Sequence, residues 1–133
     1  MKLHDGHNKK VGTQGEDIAC VFLMKHGYKI IERNYWRKWG EIDIVTEFDN
    51  ELHFIEVKAV SRESLDDVTH VTSSYRPEDN VHYQKQKRLS RVFQTYLIDK
   101  HRENEEWTFD LVCVYLSDTD QKAGVKIIKD IIL

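Results

Sequence analysis

The chain has few of the residues that staple or interrupt small proteins: two cysteines, one proline and six glycines in 133 residues. Two cysteines exclude a disulfide scaffold. Cys20 and Cys113 both lie in apolar surroundings and read as small core residues of a protein in a reducing, cytoplasmic setting. No apolar run approaches the ~18 residues of a membrane-spanning helix, so no membrane partner is expected. The opening "MKLHDGHNKKVG" has no apolar h-region, so no signal peptide is expected either. Excess positive charge is also missing. Lys and Arg number 20 against 23 Asp and Glu, a net charge of −3. That argues against a strong global field for nucleic acid but leaves room for a local basic patch beside an acidic site. The seven histidines show no metal-ligand spacing such as H-x-x-x-H, and none is assigned a role. There is no internal repeat and no sign of a second domain.

What is present suffices for one core. Hydrophobic residues make up 40% and aromatics 11%, ordinary values for a single globular domain of this length. Residues 1–12 are polar and read as a flexible tail, with a single domain over 13–133. In "TQGEDIACVFLMKHGY", Ile18, Ala19, Phe22 and Leu23 recur at helical spacing and Gly27 is placed to end the helix. "YKIIERNYW" reads as a strand, "RKWG" as a tight turn and "EIDIVTEF" as a second strand. "FDNE" is a hairpin signal leading into "LHFIEVKAV". Residues 61–79 are polar, lack periodicity and end at Pro77. A loop of that length in a small domain is usually functional or disordered. In "NVHYQKQKRLSRVFQTYLIDKHRE", Leu89, Val92, Phe93, Tyr96 and Leu97 form the apolar stripe of an amphipathic helix. "WTFDLVCVYLS" reads as a fourth strand and "VKIIKDIIL" as a last strand or short terminal element. The order is α-β-β-β-α-β plus that tail.

Within the third strand, "FIEVK" sets two charges into an apolar run. Alternation puts Glu56 and Lys58 on one face. Ionised groups are costly to bury unless paired or bound to a metal. The hairpin brings Asp43 of the second strand beside Glu56, at the ~4.8 Å spacing of neighbouring strands. Two carboxylates so placed can share Mg²⁺, a hard cation that takes oxygen ligands. Lys58 lies about 6.6–7 Å along the same face, within reach of a nucleophilic water or a phosphate oxygen. Phosphodiester hydrolysis needs an activated water, charge neutralisation at phosphorus and help for the leaving oxygen, which a divalent ion and a lysine divide between them. The bland alternative is an exposed ion pair worth about 0–1 kcal/mol, and a Glu-x-Lys triplet alone is expected about once by chance in such a composition. Glu16 has its own bland reading: "TQGE" fits a capping box in which Glu16 returns to the N-cap amide of Thr13. Glu41 shares a face with Asp43 and is a further candidate ligand, ranked lower because it starts the strand at the turn. Two basic features suit a phosphate backbone. "RNYWRKW" interleaves cations, Arg37 and Lys38 among them, with aromatic rings. Lys85, Lys87, Arg88 and Arg91 open the long helix, with Lys85 and Arg88 on one side. A solvated face is the bland reading of each.

"GTQGEDIACVFLMKHGYKIIERN", "GEIDIV", "FIEVKAV", "KQKRL" and "FDLVCVYL" occur in order. Together, over roughly residues 11–117, they resemble the YraN-like family of small predicted endonucleases in the PD-(D/E)XK nuclease superfamily, which is similar to archaeal Holliday junction resolvases. The resemblance implies an α/β fold with a restriction-endonuclease-like core, a mixed central sheet flanked by helices. It implies a Mg²⁺- or Mn²⁺-dependent endodeoxyribonuclease in which Glu16, Asp43 and Glu56 hold the metal and Lys58 aligns the attacking water. DNA is then the partner, branched DNA in particular, and cutting two strands carries the symmetry expectation of a homodimer. Two departures concern substrate positioning: Val60 stands where the family often has arginine, with Arg62 further on, and the 61–79 loop is longer than the family pattern. Against this enzyme stand two rivals, a non-catalytic nucleic-acid-binding module on a nuclease fold and a scaffold protein whose carboxylates are surface ion pairs.

Overall fold

The computed structural model describes residues 3–62, 83–117 and 122–133, with backbone alone for 3–11 and Arg62. Helix α1 spans Leu3–Lys25, followed by β1 (Lys29–Arg37), β2 (Gly40–Phe48) and β3 (Glu51–Arg62). Helix α2 spans Tyr83–Asp99, before β4 (Trp107–Ser117) and β5 (Ala123–Ile128). The strands form one sheet in the order β1-β2-β3-β4-β5. β3 and β4 pair in parallel and the other neighbours antiparallel. This is the expected α/β class, a mixed sheet flanked by two helices in the arrangement of a restriction-endonuclease-like core. The segment that could be a strand or a terminal element is β5.

Residues 3–12, expected as a flexible tail, are helical backbone continuous with α1. Polar sequence does not stop a helix once its neighbouring turns are anchored, since adding a residue costs far less than nucleating. The anchor is the stretch Ala19, Cys20 and Leu23, all buried. The helix ends as Gly27 predicts. Gly27 has φ +92°; its N–H donates to Met24 O at 3.1 Å and Tyr28 N–H donates to Leu23 O at 3.0 Å, the paired bonds of a Schellman cap. Among the described residues no helix is long and apolar enough to cross a membrane.

The "FDNE" hairpin forms as read. Phe48 pairs with Glu51, and Asp49 and Asn50 between them have φ 55° and 63°, the two left-handed residues of a type I′ turn. Strand β3 runs on to Arg62 and so takes in the first two residues of the expected 61–79 loop; the rest of that segment, with Pro77, lies outside the described residues.

Alternation along β3 divides the core. Phe54 packs on the α2 side, its ring stacked on Phe93 with centroids 4.4 Å apart. Ile55 packs on the α1 side with Ala19, Leu23 and Ile44. The α2 stripe is buried as expected, all of Leu89, Val92, Phe93, Tyr96 and Leu97. Cys20 and Cys113 are both buried and are not joined in a disulfide. The α1 side also carries a buried polar pair, His53 Nδ1 2.8 Å from Asp110 Oδ2. The other Asp110 oxygen accepts from the Asp130 N–H at 2.9 Å, tying the segment after β5 to the sheet.

Candidate active site

The β2–β3 ladder pairs Ile44 with Ile55, and one step further along the same antiparallel register Asp43 faces Glu56. There the strands part. The Val57 N–H, which a continuing ladder would occupy, donates to Asp43 Oδ2 at 2.8 Å. The Asp43 carboxyl is therefore fixed by backbone, close enough to Glu56 to feel its charge. Burial, then the Glu56 charge, push Asp43 up to about 8, while the Val57 N–H pulls the other way and Glu16 adds to the rise. Two carboxyls in one low-dielectric place cannot both ionise cheaply.

These two residues floor a cleft of about 230 Å³ lined by Gly40, Glu41, Asp43, Glu56, Lys85, Arg88 and Leu89. The cleft exists because the β1–β2 turn leans on α2. A methyl group on Gly40 would lie 3.2 Å from the Arg88 carbonyl oxygen and 3.2 Å from Val92 Cβ, so any larger residue would push the turn and α2 apart by a few tenths of an ångström. Helix α2 contributes two cations. Lys85 forms an ion pair with Glu56, and Arg88 lines the same cleft. Glu41 is held above its ordinary value by burial, then by the charges of Glu16 and Glu56.

Glu16 arrives from the other layer. With the Asn34 amide turned so that its nitrogen faces the acids, it donates to Glu16 Oε1 at 3.1 Å and to Glu41 Oε1 at 3.0 Å. Asn34 stands within β1 at φ 55°, a left-handed residue inside a strand, and the register puts it across from Asp43. Arg33 also reaches Glu16, at 3.6 Å, and Asp17 at 2.9 Å. The capping box does not form: α1 begins at Leu3, so Thr13 lies inside the helix and the Glu16 carboxylate is free of that duty.

Of the residues expected in the site, Asp43 and Glu56 meet directly and Glu16 joins them through Asn34 and Glu41. Lys58 stands apart. It is half-buried beside Cys113 of β4 and is not one of the side chains lining the cleft. Alternation keeps it on the face of Glu56, one residue pair further along. The residues that sequence reasoning missed or ranked low are Asn34, Glu41 and Lys85 in contact with an acid. For Asn34 a signal existed, since asparagine is depleted in strand interiors.

The expected phosphate contacts divide. Arg37 is engaged, 3.0 Å from Asp99 and stacked 4.3 Å from the Tyr35 ring. Arg91 covers Trp39 at 4.3 Å and Lys87 covers Tyr83 at 4.5 Å, and both residues are exposed. Lys38 is exposed in the turn, beside Trp36, which is 63% exposed.

Residues 15–114 match the model of the uncharacterised protein family UPF0102. The chain belongs to the UPF0102 family. UPF0102 proteins of Campylobacter lari and Helicobacter hepaticus are 36% and 37% identical to it, covering 80% and 81% of this chain and 85% and 86% of their own. That of Caldicellulosiruptor bescii is 33% identical over 92% of this chain and 96% of its own. The family match begins at Gly15 and ends at Val114, so it takes in the elements that carry the cleft: α1 from Glu16 on, the β1–β2–β3 meander and α2.

Proposed function

We infer that this UPF0102 chain is a Mg²⁺- or Mn²⁺-dependent endonuclease that hydrolyses phosphodiester bonds in DNA. The carrying observation is the facing pair Asp43 and Glu56 at the floor of a cleft whose α2 wall is cationic. The donor set fits a hard dication: it is all carboxylate oxygen. Glu56 already holds one cation, the Lys85 ammonium. As the side chains stand, no three of His, Cys, Asp or Glu converge to hold a metal among the described residues. Mg²⁺ does not need three; it is commonly held by one or two carboxylates and keeps several waters. Asp43 and Glu56 would hold it, with Glu16 reaching it through water. When bound, the ion supplies charge neutralisation on the phosphoryl oxygen and a more acidic water.

The chain's own residues do the rest. The Val57 N–H fixes the orientation of Asp43, and Asn34 keeps Glu16 and Glu41 turned inward. Arg88 offers a planar fork to the phosphate backbone. Lys58 orients the attacking water from the strand face beyond Glu56. Trp36 and Lys38 extend the surface along the hairpin tip, where an exposed ring can stack on an unpaired base. Branched DNA, which offers such bases, is the substrate this reading favours; symmetric cutting of two strands would take a homodimer.

The test is cleavage of labelled branched, flapped and linear DNA with Mg²⁺ or Mn²⁺. Wild type should cut, and Lys58→Ala should lose about 100-fold or more. No metal-dependent cleavage of any substrate, or equal cutting by the variant, would sink the reading. The second reading is a nucleic-acid-binding module without catalysis, favoured by Lys58 standing outside the cleft. Salt-dependent binding without cleavage, unaltered by Asp43→Asn, would establish it.

A further inference from the structure

Lys85 is out of place for a helix-surface lysine. It leaves the first described turn of α2, yet its ammonium reaches across to β3 and pairs with Glu56, whose side chain is only 12% exposed. A lysine on an exposed face gains ~0–1 kcal/mol from a surface ion pair and normally stays solvated. Here it enters a cleft that also holds Glu41 and Asp43. Acids that share one cleft favour a compensating cation, and among the described residues Lys85 pairs directly with one that lines it.

Resting on the reading of this cleft as a metal site, we propose that Lys85 is an exchangeable internal counter-ion. Its ammonium neutralises Glu56 until a divalent ion enters between Asp43 and Glu56, and the displaced ammonium then turns to the phosphate of the substrate. The ammonium meets Glu56 at Oε2, and Glu56 is one of the two carboxylates that would hold the ion. A dication and an ammonium on one carboxylate repel each other. Lysine can yield, because its charge rides on a flexible four-carbon stem and needs no fixed geometry. Where it goes is limited by α2. Arg88 lies three residues on, on the same side of the helix, and lines the same cleft. The released ammonium therefore joins a guanidinium, and the pair faces the incoming anion. The exchange would tie the appearance of a phosphate-binding cation to metal loading.

The inference separates from the nuclease reading in a calorimetric titration with Mn²⁺ alone. Lys85→Met keeps the apolar stem and removes the charge; Lys85→Gln is a second variant that keeps polarity. Lys25→Met serves as control, because Lys25 is exposed in the last turn of α1 and does not line the cleft. Both Lys85 variants should bind Mn²⁺ about tenfold more tightly than wild type, the size of effect that groups around a metal's ligands exert. The control should match wild type. At saturating Mn²⁺ the same two variants should cut DNA about tenfold less efficiently, so affinity for metal and action on substrate move in opposite directions. Unchanged or weaker Mn²⁺ binding in both variants overturns the exchange, even if wild type binds metal and cuts DNA. Tighter metal with unaltered cutting overturns the transfer to phosphate. Absence of Mn²⁺ heat in wild type and in both variants overturns the metal-site reading and the exchange together.

Discussion

Asp43 is where the chemistry of the cleft can be tested without substrate. In the unfolded chain it titrates near its ordinary 3.8, whereas in the folded protein burial and Glu56 hold its proton up to about 8. Between those values the folded state binds more protons than the unfolded one, so stability falls as pH rises. The contribution is fully present below about 3.8 and is lost by the time pH passes 8. Asp43→Asn removes the titration while its amide oxygen can still accept from the Val57 N–H. The variant should therefore match wild type near pH 4 and surpass it near pH 8.5 without metal. Each ~1 kcal/mol of relieved repulsion should appear as roughly 4 °C in Tm at this chain length. Parallel Tm curves for the two proteins across that pH range would show that Asp43 is not the group under pressure. Added Mn²⁺ should reverse the order at pH 8.5, because a ligand that binds only the folded state stabilises it by mass action.

At the scale of elements, the site depends on how closely α1 lies on β3. Gly15 is buried, and a methyl group there would fall 2.4 Å from Ala59 Cβ. The helix can sit that low only with glycine at this point, and Glu16 is the next residue. Gly15→Ala gains up to ~1 kcal/mol of helix propensity but forces α1 off the strand, an overpacking cost of about 1–3 kcal/mol. Urea unfolding should show a net loss, and Ala59→Gly in the same chain should restore part of it. Loss that Ala59→Gly does not touch would mean the contact is not what sets the helix height. The same elements mark the limit of what a single sequence discloses. Strands β1 to β4, the I′ turn and the α2 stripe were legible because alternation, turn residues and 3.6-residue spacing are local signals. So was the Asp43–Glu56 pairing, because a short hairpin leaves one register. The start of α1 was not legible, since residues 3–12 have no apolar stripe and helical propagation depends on turns beyond them. Nor were Asn34 between Glu16 and Glu41, Lys85 on Glu56, or Lys58 outside the cleft. Those depend on the height of a helix above a sheet and on where two strands part, which no local periodicity encodes.

The whole molecule carries a net charge of −3, so any hold on DNA must come from a few cations placed together. Part of the basic inventory is already paired with acids. Arg33 is tied to Glu16 and Asp17, Arg37 to Asp99, and Arg102 to Glu47 and Glu105. Lys85 is on Glu56. Around the cleft, among the described residues, that leaves Lys38, Lys87, Arg88 and Arg91, two of them stacked on rings. Each neutralised phosphate contributes about −0.9 to the slope of log affinity against log salt on duplex DNA. Four contacts give a slope of roughly −3.6, shallow for a DNA-binding protein. Fluorescence anisotropy over a salt series without divalent metal, where Lys85 stays on Glu56 and nothing is cut, measures it directly. Arg88→Ala should make the slope shallower by about 0.9. Arg37→Ala should leave it unaltered, because its charge is already balanced by Asp99. A wild-type slope steeper than about −6, or an Arg37→Ala effect as large as that of Arg88→Ala, would mean that the DNA path runs over a different face of the molecule from the one the cleft opens on.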